Sequence, residues 1–469
     1  MKTRIIVIMI FIVLSNLQFT SGITLINNDS LITSFSENIL LSTVDFPYSH
    51  HVEPTLAISE TDGTLFAGWK NAYSHNGPGV RVSFSKSTNG KSWSEPFDMP
   101  MFENINTGQS DPWLVWHDDT LYYAYLEYSM DTNELSQITV AKSTDSGETW
   151  RPVAASYGDG FADKETMTVS SNGTIYVTYD DINYDKNCTT VRLTRSTDKG
   201  KTFHEIGVIT DSISQPESHL GPYVITDSKN DVYVAWIWFS NEVWGDVYVV
   251  GSKDQGETFS EEIDINPESE NATFENTSDE SPSQASLPVL KFDNNNRLYA
   301  LWAERFESDG AWDVYMKYSD DYGLNWSERY QVNPDIAYDQ WQPDMDIDSK
   351  NRCHIVWYDE HEDTFRPYYR LITFPEDSTG EISYGDPIAI ASANTSSSFT
   401  RPGDYFTIRV DSNDIPHVVW TDGREGEMDI YYSHGISDST VTTSTTSAVT
   451  FTGLWILIPI FIALLRKKR

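Results

Sequence analysis

One short motif recurs along the 469-residue chain and constrains its fold more than any other feature. Four segments read Ser-x-Asp-x-Gly-x-x-aromatic and a fifth is one residue shorter, with aromatic residues at positions 93, 150, 203, 259 and 326. The steps of 57, 53, 56 and 67 residues between them fit a unit of about four strands. In such a tight turn Asp accepts backbone N–H bonds and Gly takes a positive φ. The residues to which we assign this structural role are Asp145, Gly147, Trp150, Asp198, Gly200, Phe203, Asp254, Gly256, Phe259, Asp321, Gly323 and Trp326.

Seven apolar segments rich in aromatic and β-branched residues accompany the motif. They are residues 65–69, 121–125, 175–179, 232–236, 298–302, 353–357 and 416–420. Their composition is typical of strands, and seven four-stranded units predict an all-β fold, a single seven-bladed β-propeller. An open ring would leave sheet edges unpaired, and the last unit stops near Ser437 without an outer strand. We therefore expect the N-terminal residues 38–45 to complete the seventh blade and close the ring.

The two ends of the chain predict its location. Residues 1–22 combine Lys2 and Arg4 with an apolar run and small residues, as in a signal peptide. Residues 448–465 carry no charge and precede four basic residues, which predicts a transmembrane helix with a cytoplasmic tail at 466–469. A removable lipid-anchor signal would look similar. Residues 438–447 are a Ser/Thr-rich stalk, so residues 23–437 would form the extracellular domain of a single-pass cell-surface protein.

Composition narrows the range of partners. The chain has 32 Lys and Arg residues against 70 Asp and Glu residues, a net charge of −38, which argues against nucleic acid as a partner. Seven Asn-x-Ser/Thr sequons suit an exterior glycoprotein. The only cysteines, Cys188 and Cys353, fall in the third and sixth units, too far apart around the ring for a disulfide.

Polar residues at the start of each unit are the candidates for a site. The first strand of each blade lines the channel of a propeller, so these residues should converge there. The candidates for acid–base catalysis are Asp111, Asp163, Glu165, Asp344 and Asp404, and those for substrate binding are Glu53, His219 and Arg401. Converging carboxylates can hold one group protonated and another ionised, as a hydrolase needs. The same cluster could bind Ca²⁺ through its oxygens, or simply form a solvated channel, and no other cofactor is indicated.

The repeated Ser-x-Asp-x-Gly-x-x-Trp resembles the Asp-box, or BNR repeat, of the sialidase (neuraminidase) superfamily, on units that span roughly residues 38–437. This resemblance implies an Asp-box propeller that acts on or recognises glycans, including a glycoside hydrolase of exo-sialidase type. Sialidases clasp their substrate with three arginines and carry an Arg-Ile-Pro signature, which this chain lacks, and their catalytic domains have six blades. The superfamily also includes receptors. The alternative is therefore a non-catalytic surface propeller that binds glycan or protein partners, and the resemblance leaves catalysis open.

Overall fold

The computed structural model describes residues 31–42, 48, 50–73, 80–102, 108–129, 136–158, 160–185, 187–210, 218–239, 244–267, 287–305, 311–335, 337–375, 380–398 and 402–437. Every regular element in these ranges is a β-strand, and the strands form seven consecutive antiparallel blades. The predicted all-β, seven-bladed propeller is confirmed. The predicted signal peptide, stalk, transmembrane helix and tail lie outside the described residues. Within the described ranges we find no helix that is both long and apolar enough to cross a bilayer.

The strands are numbered in chain order and are grouped here by blade. Blade 1 contains β3 (His50–Ile58), β4 (Leu65–Ala72), β5 (Arg81–Ser87) and β6 (Phe97–Asp98). Blade 2 contains β7 (Gly108–His117), β8 (Thr120–Tyr128), β9 (Ser136–Ser143) and β10 (Arg151–Ala154). Blade 3 contains β11 (Phe161–Val169), β12 (Ile175–Asn183), β13 (Cys188–Ser196) and β14 (His204–Val208). Blade 4 contains β15 (Ser218–Thr226), β16 (Val232–Phe239), β17 (Trp244–Ser252) and β18 (Ile263–Asp264).

Blades 5 to 7 follow the same order. Blade 5 contains β19 (Val289–Phe292), β20 (Leu298–Arg305), β21 (Trp312–Ser319) and β22 (Tyr330–Gln331). Blade 6 contains β23 (Gln340–Ile347), β24 (Arg352–His361), β25 (Thr364–Thr373) and three short outer strands, β26 (Ser383–Tyr384), β27 (Ile388–Ala389) and β28 (Thr395–Ser396). Blade 7 contains β29 (Thr407–Val410), β30 (Pro416–Asp422) and β31 (Asp429–Ser437), with the N-terminal strands β1 (Ile32–Phe35) and β2 (Ile39–Leu40) outermost.

The ring is closed by the N-terminal strands. The first strand of each blade contacts the first strand of the next, and β29 contacts β3. Ile32 lies opposite Ser437, and Ile39 lies opposite Tyr432, so β1 and β2 both pair antiparallel with β31. Closure by the N-terminal segment is thus confirmed, although the paired segment already begins at Ile32. Residues 43–45 of the predicted closing strand lie outside the described residues.

Aromatic residues of the second strands form the core between blades. The indole side chains of Trp69, Trp236, Trp302, Trp357 and Trp420 occupy equivalent positions, and all are buried. Burial of an aromatic side chain removes a large apolar area from water, which favours close stacking of each blade on its neighbour. Cys188 and Cys353 are buried and free, as their positions predict.

The Asp-box turns show why their residue types recur. In blade 4, Asp254 Oδ1 accepts hydrogen bonds from Ser252 Oγ and Thr258 N, both at 2.8 Å, and Oδ2 accepts one from Thr258 Oγ1 at 2.6 Å. Gly256 has a φ of 90°. A Cβ there would lie 2.8 Å from Ile206 of the preceding blade, so the turn needs glycine both for its backbone and for blade packing.

The turns between first and second strands form a second set of contacts, which run from blade to blade. Asn294 donates from N and Nδ2 to Asn351 Oδ1, at 3.0 and 2.8 Å. Ser349 donates from N and Oγ to the Asp414 carboxylate, at 3.0 Å each. Asn351 and Asp414 have φ of 61° and 62°, a region in which Gly would be less strained. The side-chain oxygens of Asn351 and Asp414 accept hydrogen bonds from the preceding blade, which glycine could not do.

Candidate functional site

Five of the inner strands share a β-bulge near their amino ends. The antiparallel register shifts between Val52 and Thr55, Ser110 and Trp113, Asp163 and Thr166, Leu220 and Tyr223, and Trp341 and Asp344. Within these bulges the φ angles are 55° at Glu53, 52° at Asp111, 50° at Lys164, 64° at Gly221 and 49° at Gln342. A non-glycine residue in this region is strained, and a bulge redirects a side chain. Backbone strain that recurs around one channel indicates a functional site.

The bulges bring three carboxylates together. One carboxylate oxygen from each of Glu53, Asp111 and Asp404 lies within 4.8 Å of the other two. All three residues are buried, and Glu53 is fully inaccessible. Gly403, next to Asp404, permits this approach, because a Cβ on it would lie 2.7 Å from the backbone nitrogen of Glu53. We call these three residues, together with Asp163 and Glu165, the carboxylate cluster.

Two lysines partly neutralise the carboxylate cluster. Lys70 Nζ lies 3.3 Å from Glu53 Oε1, and both side chains are buried. Lys164 forms an ion pair with Asp404. These ammonium groups already balance two of the three clustered carboxylates, so the described residues are a poor fit for the Ca²⁺ ion considered from the sequence.

Two members of the cluster have pKa values well displaced from those in water. Burial, reinforced by the charge of Asp111, raises the pKa of Glu165 well above its usual range. Both carboxyl oxygens of Glu165 are buried, and neither has a hydrogen-bond partner among the described residues. Burial and the charge of Asp111 also raise the pKa of Asp163 to about 6. A raised pKa favours the protonated form of Glu165, which is the form that a general acid needs.

Tyrosines surround the cluster. Tyr405 donates a hydrogen bond to the carbonyl oxygen of Pro112 at 2.8 Å, and burial, with the charges of Asp111 and Glu53, raises its pKa well above the usual range. Tyr128 interacts electrostatically with Lys70 and with three of the carboxylates. Tyr184 packs against Phe161, with ring centroids 6.2 Å apart, and is 62% exposed. An exposed ring beside buried carboxylates is suited to stacking on a sugar.

Not all of the residues predicted from the sequence join the cluster. The structure brings together Glu53, Asp111, Asp163, Glu165 and Asp404. Asp344 instead interacts with Arg409 Nη1 at 3.2 Å and accepts a hydrogen bond from Ile408 N, on β29. His219 packs against Trp236, with ring centroids 6.0 Å apart. Arg401 lies outside the described residues.

Sequence reasoning missed four residues of the site. Lys70 belongs to the second strand of its blade, and Lys164 lies between the two predicted acids Asp163 and Glu165. Tyr128 and Tyr405 reach the cluster through packing between blades. A signal was available for the bulges, because Pro follows the positive-φ residue in four strands, after Glu53, Asp111, Gly221 and Gln342.

Seven blades with repeated Asp-box turns define this protein as an Asp-box β-propeller. Residues 63–294 match the BNR repeat-like domain family. No curated protein matches the chain.

Solved structures to which the chain is similar include three enzymes whose names describe action on glycans. An ulvan lyase of polysaccharide lyase family PL25 aligns with 12% identity and a TM-score of 0.52, over 82% of this chain and 94% of its own. The Penicillium chrysogenum α-L-arabinanase aligns with 13% identity and a TM-score of 0.48, over 85% and 98%. The Trypanosoma rangeli sialidase aligns with 12% identity and a TM-score of 0.46, over 72% of this chain and 58% of its own. At 12% identity the likeness to the ulvan lyase shows the fold alone.

Proposed function

We propose that this protein is a glycan-active propeller, a glycoside hydrolase in which Glu165 is the general acid and Asp111 is the second catalytic carboxylate. The observation that carries the proposal is the buried Glu165 carboxyl, which has no hydrogen-bond partner among the described residues and a raised pKa. Two carboxyl groups whose pKa values are separated by their surroundings are the arrangement that glycosidases use.

Each group has a defined task in this reaction. Glu165 donates its proton to the glycosidic oxygen as the leaving group departs, and Asp111 acts on the opposite side as base or nucleophile. Lys70 and Lys164 balance the charges of Glu53 and Asp404 through their ion pairs. The exposed Tyr184 ring supplies a surface on which a sugar can stack.

The substrate we propose is a glycan without sialic acid. A chain with a net charge of −38 opposes the approach of anionic sugars, and both described ion pairs of the cluster involve lysine rather than arginine. The PL25 ulvan lyase, which shares the fold, was solved bound to a glucuronate–rhamnose 3-sulfate unit, so this fold can bind a glycan, although that glycan is anionic. We further propose that the protein is displayed at the cell surface, on the basis of the predicted signal peptide and the uncharged residues 448–465.

A second candidate function is recognition of glycan or protein partners without catalysis. The burial of the cluster favours it, because Glu53, Asp111 and Asp404 are each 5% exposed or less, whereas a catalytic carboxylate must reach its substrate. A receptor would use the same face for binding and would need no protonated acid.

Turnover measurements on the full chain in detergent separate the two functions. The panel contains fluorogenic sialosides, fluorogenic neutral glycosides and a glycan array. We expect hydrolysis of a neutral glycoside, a 10²–10⁴-fold loss of kcat in Glu165→Gln, and no loss in the control Glu328→Gln, which alters an exposed residue. Binding on the array without turnover of any glycoside would refute the hydrolase and favour the receptor.

A further inference from the structure

The channel contains a second chamber, at the carboxyl ends of the inner strands and away from the carboxylate cluster. It has a volume of about 680 Å³, within the range of small-molecule sites. Trp113 forms part of its boundary, and its ring meets those of Tyr223 and Tyr405 at centroid distances of 5.6 and 5.7 Å. Tyr405 also interacts electrostatically with the carboxylate cluster. The three rings therefore lie between the carboxylate cluster and the second chamber. We call this second space the lower chamber.

The two sides of the lower chamber differ in chemistry. Blades 2 to 4 contribute apolar and aromatic side chains, including Trp113, Val115 and Ile225. Blades 5 to 7 contribute charged side chains. Lys291, Asp346 and Arg409 stand at equivalent positions of three adjacent inner strands, and Asp348, Asp411 and Asp414 lie in the turns that follow two of these strands. A mostly apolar concavity with a few polar groups on one wall is the usual form of a ligand site, whereas a solvated channel has no need of such asymmetry.

The three turn carboxylates already have partners: Asp348 contacts Arg352 and His354, Asp411 contacts His417, and Asp414 contacts Ser349 and Lys350. Among Lys291, Asp346 and Arg409, the hydrogen-bonding capacity left over belongs to donors. Asp346 uses both oxygens, one with Lys291 Nζ at 3.2 Å and one with Val410 N at 2.8 Å. Arg409 makes its two described hydrogen bonds through Nη1 alone, to Asp344 and to the carbonyl oxygen of Ile408. Its Nε and Nη2 atoms have no partner among the described residues, and its side chain is 16% exposed. A guanidinium with a free edge is suited to a carboxylate, which it binds through two parallel N–H bonds.

From these observations we propose that the lower chamber binds an amphipathic monocarboxylate, with its carboxylate on Arg409 and Lys291 and its apolar body against Trp113 and Ile225. This site is separate from the proposed hydrolytic site and does not depend on that function. A cation would meet Lys291 and Arg409 unfavourably, and a fully polar ligand would leave the apolar wall unused.

A matched set of three small probes tests the charge preference. The full chain is titrated by calorimetry with 4-phenylbutyrate, 4-phenylbutan-1-ol and 4-phenylbutan-1-amine, which share an apolar body and differ in the terminal group. We expect saturable binding of the acid, at least tenfold tighter than that of the amine. Equal affinity for the three probes, or no saturable binding of the acid, would overturn the proposal.

Variants then locate the site. Arg409→Met should weaken the acid at least tenfold, and Ile225→Trp, which fills the chamber and leaves the charges intact, should abolish binding of all three probes. Arg195→Met, on the outer part of blade 3, is the matched control and should bind as the wild type does. Because Arg409→Met also deprives Asp344 of its ion pair and could affect folding, Ile225→Trp provides the independent test. Unchanged acid affinity in a folded Ile225→Trp protein would exclude this site.

Discussion

The stability of the protein should respond to pH through Glu165, and Glu165→Gln isolates that response. The folded-state pKa of Glu165 is raised well above the value of 4.5 that an unhindered Glu has. Below that pH the carboxyl is protonated in both folded and unfolded chains and contributes no pH dependence. Above it, the unfolded chain releases the proton while the folded chain retains it. The free energy of unfolding therefore falls as pH rises, until the folded-state pKa is reached.

The size of the effect follows from this difference. Each pH unit between the two pKa values lowers the wild-type free energy of unfolding by about 1.4 kcal/mol. Glu165→Gln does not suffer this loss, because glutamine has no proton to release. Glutamine also preserves the volume of the side chain, so the cavity cost is small.

Urea denaturation followed by tryptophan fluorescence measures this effect at pH 5, 6 and 7. The stability of Glu165→Gln relative to the wild type should rise steadily over this range, whereas the exposed control Glu328→Gln should run parallel to the wild type. Asp163 titrates in the same range in all three proteins, so its contribution cancels in the comparison. A difference between Glu165→Gln and wild type that does not change with pH would show that Glu165 is already ionised, and would remove the basis for its role as an acid.

Two further predictions concern the turns that join the blades. Asn351→Ala should destabilise the protein by about 1 kcal/mol more than Asn351→Gly in thermal or urea denaturation, because both variants lose the bonds from Asn294 but only alanine is strained at a φ of 61°; equal losses would contradict this reading of the turn. Asp348 is bonded to His354 and Arg352, and despite the opposing effect of burial these contacts lower its pKa to about 2. The stability that these contacts provide is present above pH 4, and the free energy of unfolding should fall by about 2 kcal/mol between pH 4 and pH 2. In Asp348→Asn, acid titration of stability should not show this fall.

The fold could be predicted from the sequence because its signals are local. Each Asp-box turn, such as that of Asp254, is complete within eight residues, and each second strand contains a buried aromatic residue such as Trp302. Ring closure also followed from a local fact, since β31 has no outer partner later in the described chain. The number of units and the unpaired edge of the last strand were sufficient to predict the closed ring.

The site was only partly predictable, because its details depend on the bulges. Glu53 and Asp111 were expected at the channel, but the positive φ that directs them inward has no counterpart in simple strand alternation. Asp344 lies beyond the bulge of β23, where the backbone N–H of Ile408 and the side chain of Arg409 on the neighbouring blade hold it. Lys70 belongs to the second strand of blade 1, whereas the prediction considered only residues of the first strands.

Closure by two N-terminal strands also affects how the propeller resists mechanical force. The last strand, β31, is hydrogen-bonded along both edges: β1 and β2 pair with one edge, and β30 pairs with the other. Tension applied to the chain after Ser437, along the strand, would load these two rows of backbone bonds in shear, so that they must break together rather than one after another. A propeller tethered at this point could bear load through its most interlocked blade.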